Sequence, residues 1–499
     1  MVCSFGSEVE LFPDPHDFHR KRPRFDSWRS RFSLTASVFG LIAQFGLSAE
    51  AAQQFTSPDH LSLAFDAVNY LYLPTDSREP VFESFGLKGR KSSESAVLEA
   101  RVDGELKLIL TPQVHTYFEV TEAFLSTSSA LSERTRFRAG RKLENWSQLD
   151  QDWQLGIWQP RFRWDYLHPD PVGLTGFFVE IADSNTRGLE LVAFGSPIFI
   201  PERGVPITVF NGTLTSPSAW FTPPTSKLDI FGEETPLRYT LDVPPLSEIV
   251  LNPSLAFMVR TNSAALASSG LWASAAYGYK PMNQLLLAHN GRNLYMPTYD
   301  IPVTIRPRVT YHHLASIEGG LVAKPASVTV SLMHDRPVKQ NLPPGWTYQV
   351  AAPAWAGSIS LSTEVSKKRD PALLELNYLQ RLGGNAPDQG LFADGTNSSF
   401  EARYPFTSAV SLGAKSNLAF LGGQGYRIHG SFRTLYEFTE NGTICSTDFK
   451  YDLKDHWTLR FGADLLATDV FGSSDTRNNH FIARYQVNNR IEAGVVHAF

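Results

Sequence analysis

From residue 52 to the end, the chain alternates apolar and polar positions with a period of two. Turn-forming clusters of Gly, Asn, Asp, Ser and Pro separate the alternating runs. A period of two places the two sets on opposite faces of a strand. The longest run is Ala96 to Leu110. Ala96, Leu98, Ala100, Val102, Leu106 and Leu108 share one parity, and Glu99, Arg101, Asp103, Glu105 and Lys107 the other. That exceeds an ordinary strand of about five or six residues. It suits a tilted membrane span, which needs about nine to eleven. The C-terminal quarter repeats the pattern. Phe449, Tyr451 and Leu453 oppose Asp448, Lys450 and Asp452, and Trp457, Leu459 and Phe461 oppose Thr458 and Arg460. Leu271 to Tyr279, Ile301 to Tyr311 and Phe481 to Val487 read as further strands. No segment sustains a helical period.

So many long amphipathic strands in one undivided chain exceed what one sandwich core can absorb. A closed cylinder solves the problem, because it leaves no sheet edge and no unpaired backbone group in lipid. The expected fold is all-β, a transmembrane antiparallel β-barrel of about eighteen strands, with sixteen to twenty-two allowed. The segment from Pro197 to Pro245 alternates weakly and reads as an extended loop or one hairpin. One conflict stands. With Phe481–Val487 as a strand, the tight Asn488–Asn489 turn and the longer 468–479 connection fall at the wrong ends for short inner turns and long outer loops.

The N-terminal region changes the picture. Arg20, Lys21, Arg22 and Arg24 precede a short apolar stretch from Leu34 to Leu47, and Ala49-Glu50-Ala51 fits a small-x-small cleavage site. Residues 1–51 therefore read as a signal peptide with a long basic leader, and 52–499 as the barrel. Of the two cysteines, only Cys445 lies beyond that segment, so no internal disulfide forms. A net charge of -5 gives no basic footprint for nucleic acid. Beyond the N-terminal region no apolar run reaches the length of about eighteen residues that a membrane helix needs.

Candidate chemistry clusters around residue 140. Arg134, Arg136, Arg138 and Lys142 share parity, with Thr135, Phe137 and Ala139 between them. Charges facing lipid cost about 2–4 kcal/mol each at the midplane, so the cations belong in the lumen. Such a ladder attracts anions. Arg306 and Arg308 form a second, shorter ladder, and Glu99, Asp103 and Glu105 supply an opposing acidic wall. The segment 143–173 then carries Trp146, Trp153, Trp158 and Trp164, four of the ten tryptophans, with Arg161 and Arg163. A loop this long with its own aromatics is usually ordered. It reads as an inward constriction, its tryptophans packing against the wall or stacking on sugar rings and its arginines binding carboxylate or phosphate. His312 and His313 are adjacent on a strand and so face opposite ways. No G-x-S-x-G or H-E-x-x-H motif is present, and no enzyme, metal or cofactor is expected.

Two resemblances sharpen this. Arg490 to Phe499 alternates and stops on an aromatic, which resembles the C-terminal strand of Gram-negative outer-membrane barrels, with His497 as a departure. Phe499 would then be the assembly signal read by the barrel-assembly machinery. Glu122-Ala123-Phe124-Leu125 with Phe137-Arg138-Ala139-Gly140-Arg141-Lys142 resembles a paired-strand segment of outer-membrane porins of the alginate-export and related specific-porin type. The resemblance implies a passive channel of the bacterial outer membrane for small hydrophilic, in the alginate type anionic, solutes. Its partners would be outer-membrane lipids and lipopolysaccharide. A non-conducting surface or adhesion barrel, or a barrel enzyme with a Ser, a His and an acid at the outer rim, are the alternatives.

Overall fold

A computed structural model describes residues 60–71, 81–111, 114–128, 132, 134–182, 188–221, 224, 226–230, 232–261, 270–290, 301–339, 346–348, 351–365, 372–384, 403–417, 427–454, 456–468 and 480–499. The basic leader, the cleavage site and Cys3 lie outside the described residues.

Eighteen strands form one sheet in which each pairs antiparallel with its neighbours. They begin with His60–Tyr70, Val81–Glu94, Leu98–Thr111, His115–Thr127, Thr135–Lys142, Leu174–Ala182 and Glu190–Ser196. They continue through Ser254–Thr261, Gly270–Pro281, Tyr311–Ala323, Ala326–Pro337, Ala354–Glu364 and Leu373–Gly383. Ser408–Asn417, Ile428–Glu437, Gly442–Asp452, Trp457–Ala467 and Arg490–Ala498 complete the wall. The first strand pairs with the last, from Ser62 opposite Ala498 to Tyr70 opposite Arg490, so the sheet closes into a barrel.

The outer face is apolar and exposed. Val102, Leu106, Phe137, Phe177, Ile317 and Ile359 all point outward, Phe177 at 62% and Ile317 at 66% exposure. A water-borne protein buries such side chains; a continuous belt of them on a closed barrel is a surface made for lipid. This is the architecture of a transmembrane β-barrel. Both described chain ends stand at the rim with short connections, such as 95–97 and 324–325. The opposite rim carries 143–173, 197–253 and 282–310. Short turns face the periplasm and long loops the exterior.

Two strand readings are corrected. Phe481–Tyr485 is a short helix, and Trp457–Ala467 runs to Arg490–Ala498 through 468–489. Ile482 is the reason: it breaks the alternation, and with Tyr485 it is buried. With that segment removed from the wall, the conflict of loop lengths disappears. Ile301–Arg308 is not a barrel strand either. It lies in a separate five-stranded sheet with Lys227–Ile230, Glu233–Leu241, Leu286–Asn290 and Thr347–Tyr348, pairing parallel to Glu233–Leu241. Pro302 and Pro307 give no backbone N–H, which suits a short strand outside the wall. Leu237, Tyr239, Ile301, Val303 and Ile305 form the small core of this outer sheet. The 197–253 connection holds two hairpins, Thr208–Phe210 with Thr213–Thr215 and Lys227–Ile230 with Glu233–Leu241.

Candidate functional site

The segment 143–173 folds on itself before it touches the wall. Ser147 caps the short helix Gln148–Asp152, its hydroxyl accepting from the Asp150 N–H. The Asp150 carboxylate accepts from the N–H groups of Ile157 at 2.9 Å and Trp158 at 3.1 Å. The Arg161 guanidinium donates to the carbonyls of Pro169 and Asp150. Arg163 donates to the Leu155 carbonyl and, at 3.3 Å, to Glu202. Both arginines thus hold the loop's own backbone. Burial lowers the Arg161 pKa and raises that of Glu202. The Trp146 and Trp158 rings stack at 5.4 Å, and both are almost fully buried, as is Trp153. Trp164 lies against Tyr117 and His115.

The folded segment then reaches across the barrel interior. The Ser147 hydroxyl donates to Glu318 at 2.7 Å, and the Gln148 N–H to the same carboxylate at 2.9 Å. Ser316 donates to the Trp146 carbonyl, and Ser360 to Asp152 at 2.8 Å. On the far wall, His168 contacts Asp464 at 3.1 Å and Arg490 donates to Asp165 at 2.6 Å. Burial opposes charge on His168, but the Asp464 hydrogen bond and the Asp165 charge prevail and raise its pKa. Burial likewise pushes against ionised Asp165, and the Arg490 guanidinium more than offsets it. The loop's apolar residues share one core with inward Leu314, Met333, Leu379, Leu435 and Leu466, and with Trp220, Phe406 and Tyr485 from other outer connections. This core occupies the exterior half of the lumen from the Leu174–Ala182 wall round to Trp457–Ala467.

The remaining wall, from Trp457–Ala467 through the closure to Thr135–Lys142, is polar inside. Arg138 pairs with Glu180, Lys142 with Glu144 and Glu180, and Arg260 with Glu190 at 3.3 Å. Half of the basic stripe is therefore neutralised by carboxylates. Arg136 shares the inward parity of Arg138, and Arg134 is exposed at a bend before the strand. Among the described residues neither has an ion-pair partner. Asp103 is buried against Arg90, whose Nε donates at 2.7 Å. Among the described residues Glu105 has no such pair, and its Oε1 lies 3.0 Å from where a Cβ on Gly86 would stand. Glu99 faces Ser126 across the strand pair. Arg460 sits between Asp66 at 3.5 Å and Glu492 at 3.6 Å. Glycines opposite these acids keep them flat on the wall: a Cβ on Gly494 would come 2.3 Å from Asp66, and one on Gly462 2.8 Å from Glu492.

Arg306 stands apart from all of this. On the outer sheet, it pairs with Asp242 at 2.9 Å and Glu248 at 2.8 Å. Arg308 ends the same strand. The second basic ladder is therefore no part of the barrel wall. His312 is buried against Asp335, while His313 meets Tyr277 on the other face. Sequence reasoning missed Glu318, Glu180, Asp464 and Arg490, which hold the loop or the stripe. The signal was present: each is a charge at the inward parity of its strand, where burial without a partner is prohibitive.

No family model matches the chain, and no curated protein is similar to it. Among solved structures, Pseudomonas aeruginosa OccK2 (OpdF) is 12% identical, with a TM-score of 0.45, over 88% of this chain and 97% of that one. Acinetobacter baumannii OccAB4 is 10% identical, with a TM-score of 0.43, over 90% and 99%. Vibrio cholerae OmpT, an outer membrane protein, is 10% identical, with a TM-score of 0.37, over 88% and 98%.

Proposed function

We propose that this barrel is a passive outer-membrane channel for small hydrophilic solutes, whose path follows the polar wall while segment 143–173 sets its width. One observation carries the reading. Inward charges on that wall stay partly wet, Arg90 at 37%, Arg101 at 34% and Arg460 at 32% side-chain exposure. A lumen filled by protein along its whole length could not hold them so, since charge is tolerated only where water or a partner solvates it. Arg134 and Arg136 are the cations left to favour anions. Compensation of Arg138 and Lys142 makes that preference modest. Arg161 and Arg163 act on permeation only by holding the loop. No step needs a cofactor or energy input.

The test is conductance in planar bilayers, with reversal potential in a salt gradient. Discrete channels whose anion preference falls in Arg136→Glu support the reading. A preference unmoved by that reversal removes the role of the stripe. The apolar core in the exterior half of the lumen favours a second reading, a non-conducting surface barrel, and purified protein that inserts yet never conducts would establish it. Two further proposals concern biogenesis. Residues 1–51 are removed on export, which N-terminal sequencing of the membrane form checks. The Phe499 N–H still donates to the Leu61 carbonyl at 2.8 Å, and the Phe499 ring is what the assembly machinery would read.

A further inference from the structure

The outward apolar stripe does not stop where the barrel strand stops. On Ser254–Thr261, Leu255, Phe257 and Val259 face lipid. The same alternation runs back through exposed Pro253 and Leu251, with the polar Asn252 between them half-buried. It then meets the short helix Leu246–Val250. Leu251 is 65% exposed, Leu246 67% and Val243 57%. The segment is held in place. The Phe199 N–H donates to the Val250 carbonyl at 2.7 Å, and the Tyr311 hydroxyl contacts Asn252. Tyr311 stacks on Tyr279 at 5.0 Å, and Tyr279 lies tilted against His313 at 4.9 Å, forming an outward aromatic group at the exterior end of the neighbouring strands. Rings with one polar edge settle at the headgroup level. The segment's acids are tied to the outer sheet, where Arg306 bridges Asp242 and Glu248.

We infer that the stretch from Val243 to Leu251 is a membrane anchor, which seats Val243, Leu246 and Leu251 in the interfacial layer of the outer leaflet and holds the outer five-stranded sheet against the membrane surface. The lipid is chosen over a protein partner because the patch continues the belt that lipid already covers, directly above an aromatic girdle. An amphipathic turn lies in the interface in this way. The inference is independent of whether the lumen conducts.

Spin labels decide it. Single cysteines replace Leu246, Leu251, Phe257 and Glu248 in a background with Cys3→Ser and Cys445→Ser, and the labelled proteins are reconstituted in liposomes. Heat-modifiable migration confirms that each is folded. Position 257 reports lipid and position 248 reports water. Labels at 246 and 251 should show an oxygen-to-nickel-chelate collision ratio several-fold above that at 248 and below that at 257. A ratio equal to that at 248 overturns the anchor. So does shielding from both relaxants with dipolar broadening that vanishes on dilution by unlabelled protein, which would assign the patch to a second copy of the chain.

Discussion

Glu318→Ala should release the inward segment from the wall. The Glu318 carboxylate, projecting from Tyr311–Ala323, accepts the Ser147 hydroxyl at 2.7 Å and the Gln148 N–H at 2.9 Å, with Leu149 N–H more distant at 3.4 Å. Two of these donors belong to the first turn of a helix and have no intrahelical acceptor. A hydrogen bond to a charged group contributes about 1.5–3 kcal/mol. Two good ones therefore hold the segment by about 3–6 kcal/mol, less what the carboxylate recovers from no longer being desolvated. A loss of about 3 kcal/mol shifts the docked-to-undocked ratio roughly a hundredfold. Single-channel recording should show larger and noisier open currents. Trypsin should cut at Arg161 or Arg163, whose guanidinium groups are shielded in the docked form. Glu318→Gln, which keeps one acceptor, should fall between. If Glu318→Ala leaves both the current histogram and the tryptic pattern unchanged, this contact does not hold the constriction.

Other perturbations follow the same geometry. Trp158→Ala removes a ring stacked on Trp146 inside the shared core and should cost about 3–5 kcal/mol, seen as a lower melting temperature. Gly494→Ala places a Cβ 2.3 Å from Asp66 and must push that carboxylate off the wall, so reversal potentials should move although net charge is unchanged. The docked loops should loosen in alkali. His168 has a raised pKa, so its contact with Asp464 contributes fully below the ordinary His range and fades as pH climbs through the raised value. Glu440 is held at about 8, first by burial and then by Glu437, so the packed form keeps a proton that the free form sheds. Packing of Phe481–Tyr485 therefore weakens from the usual carboxylate range up to about 8. Proteolysis of both segments should be faster at about pH 9 than at about pH 6, and the reverse order would contradict both assignments. Deleting Phe499 should lower the yield of heat-modifiable barrel in the membrane fraction more than Phe499→Tyr does.

The wall was legible because lipid and lumen impose a period of two that no other constraint overrides. Val102, Leu106 and Phe137 stand outward and Asp103 and Arg138 inward, as their parity requires. Ile301–Arg308 carried the same alternation for a different reason, since a small outer sheet also buries one face. Its two prolines were the discriminating feature. The interior of the lumen was largely illegible. Segment 143–173 has no period to read, and what orders it are single long-range bonds such as Ser147 to Glu318 and Arg490 to Asp165. Lone inward charges hinted at partners without naming them. Arg161 and Arg163 looked like ligand-binding cations, but in the fold their donors go to carbonyls and to Glu202.

Pairing of His60–Tyr70 with Arg490–Ala498 joins the first and the last of the eighteen barrel strands. Until that seam is sewn, each intermediate sheet presents two raw borders whose amides seek any available strand. Synthesis cannot close it early, because the last of the eighteen strands to be made is one of the two partners. Folding of this molecule is therefore bound to be slow and late-completing, and its half-built forms must be shielded from one another in the aqueous space they cross.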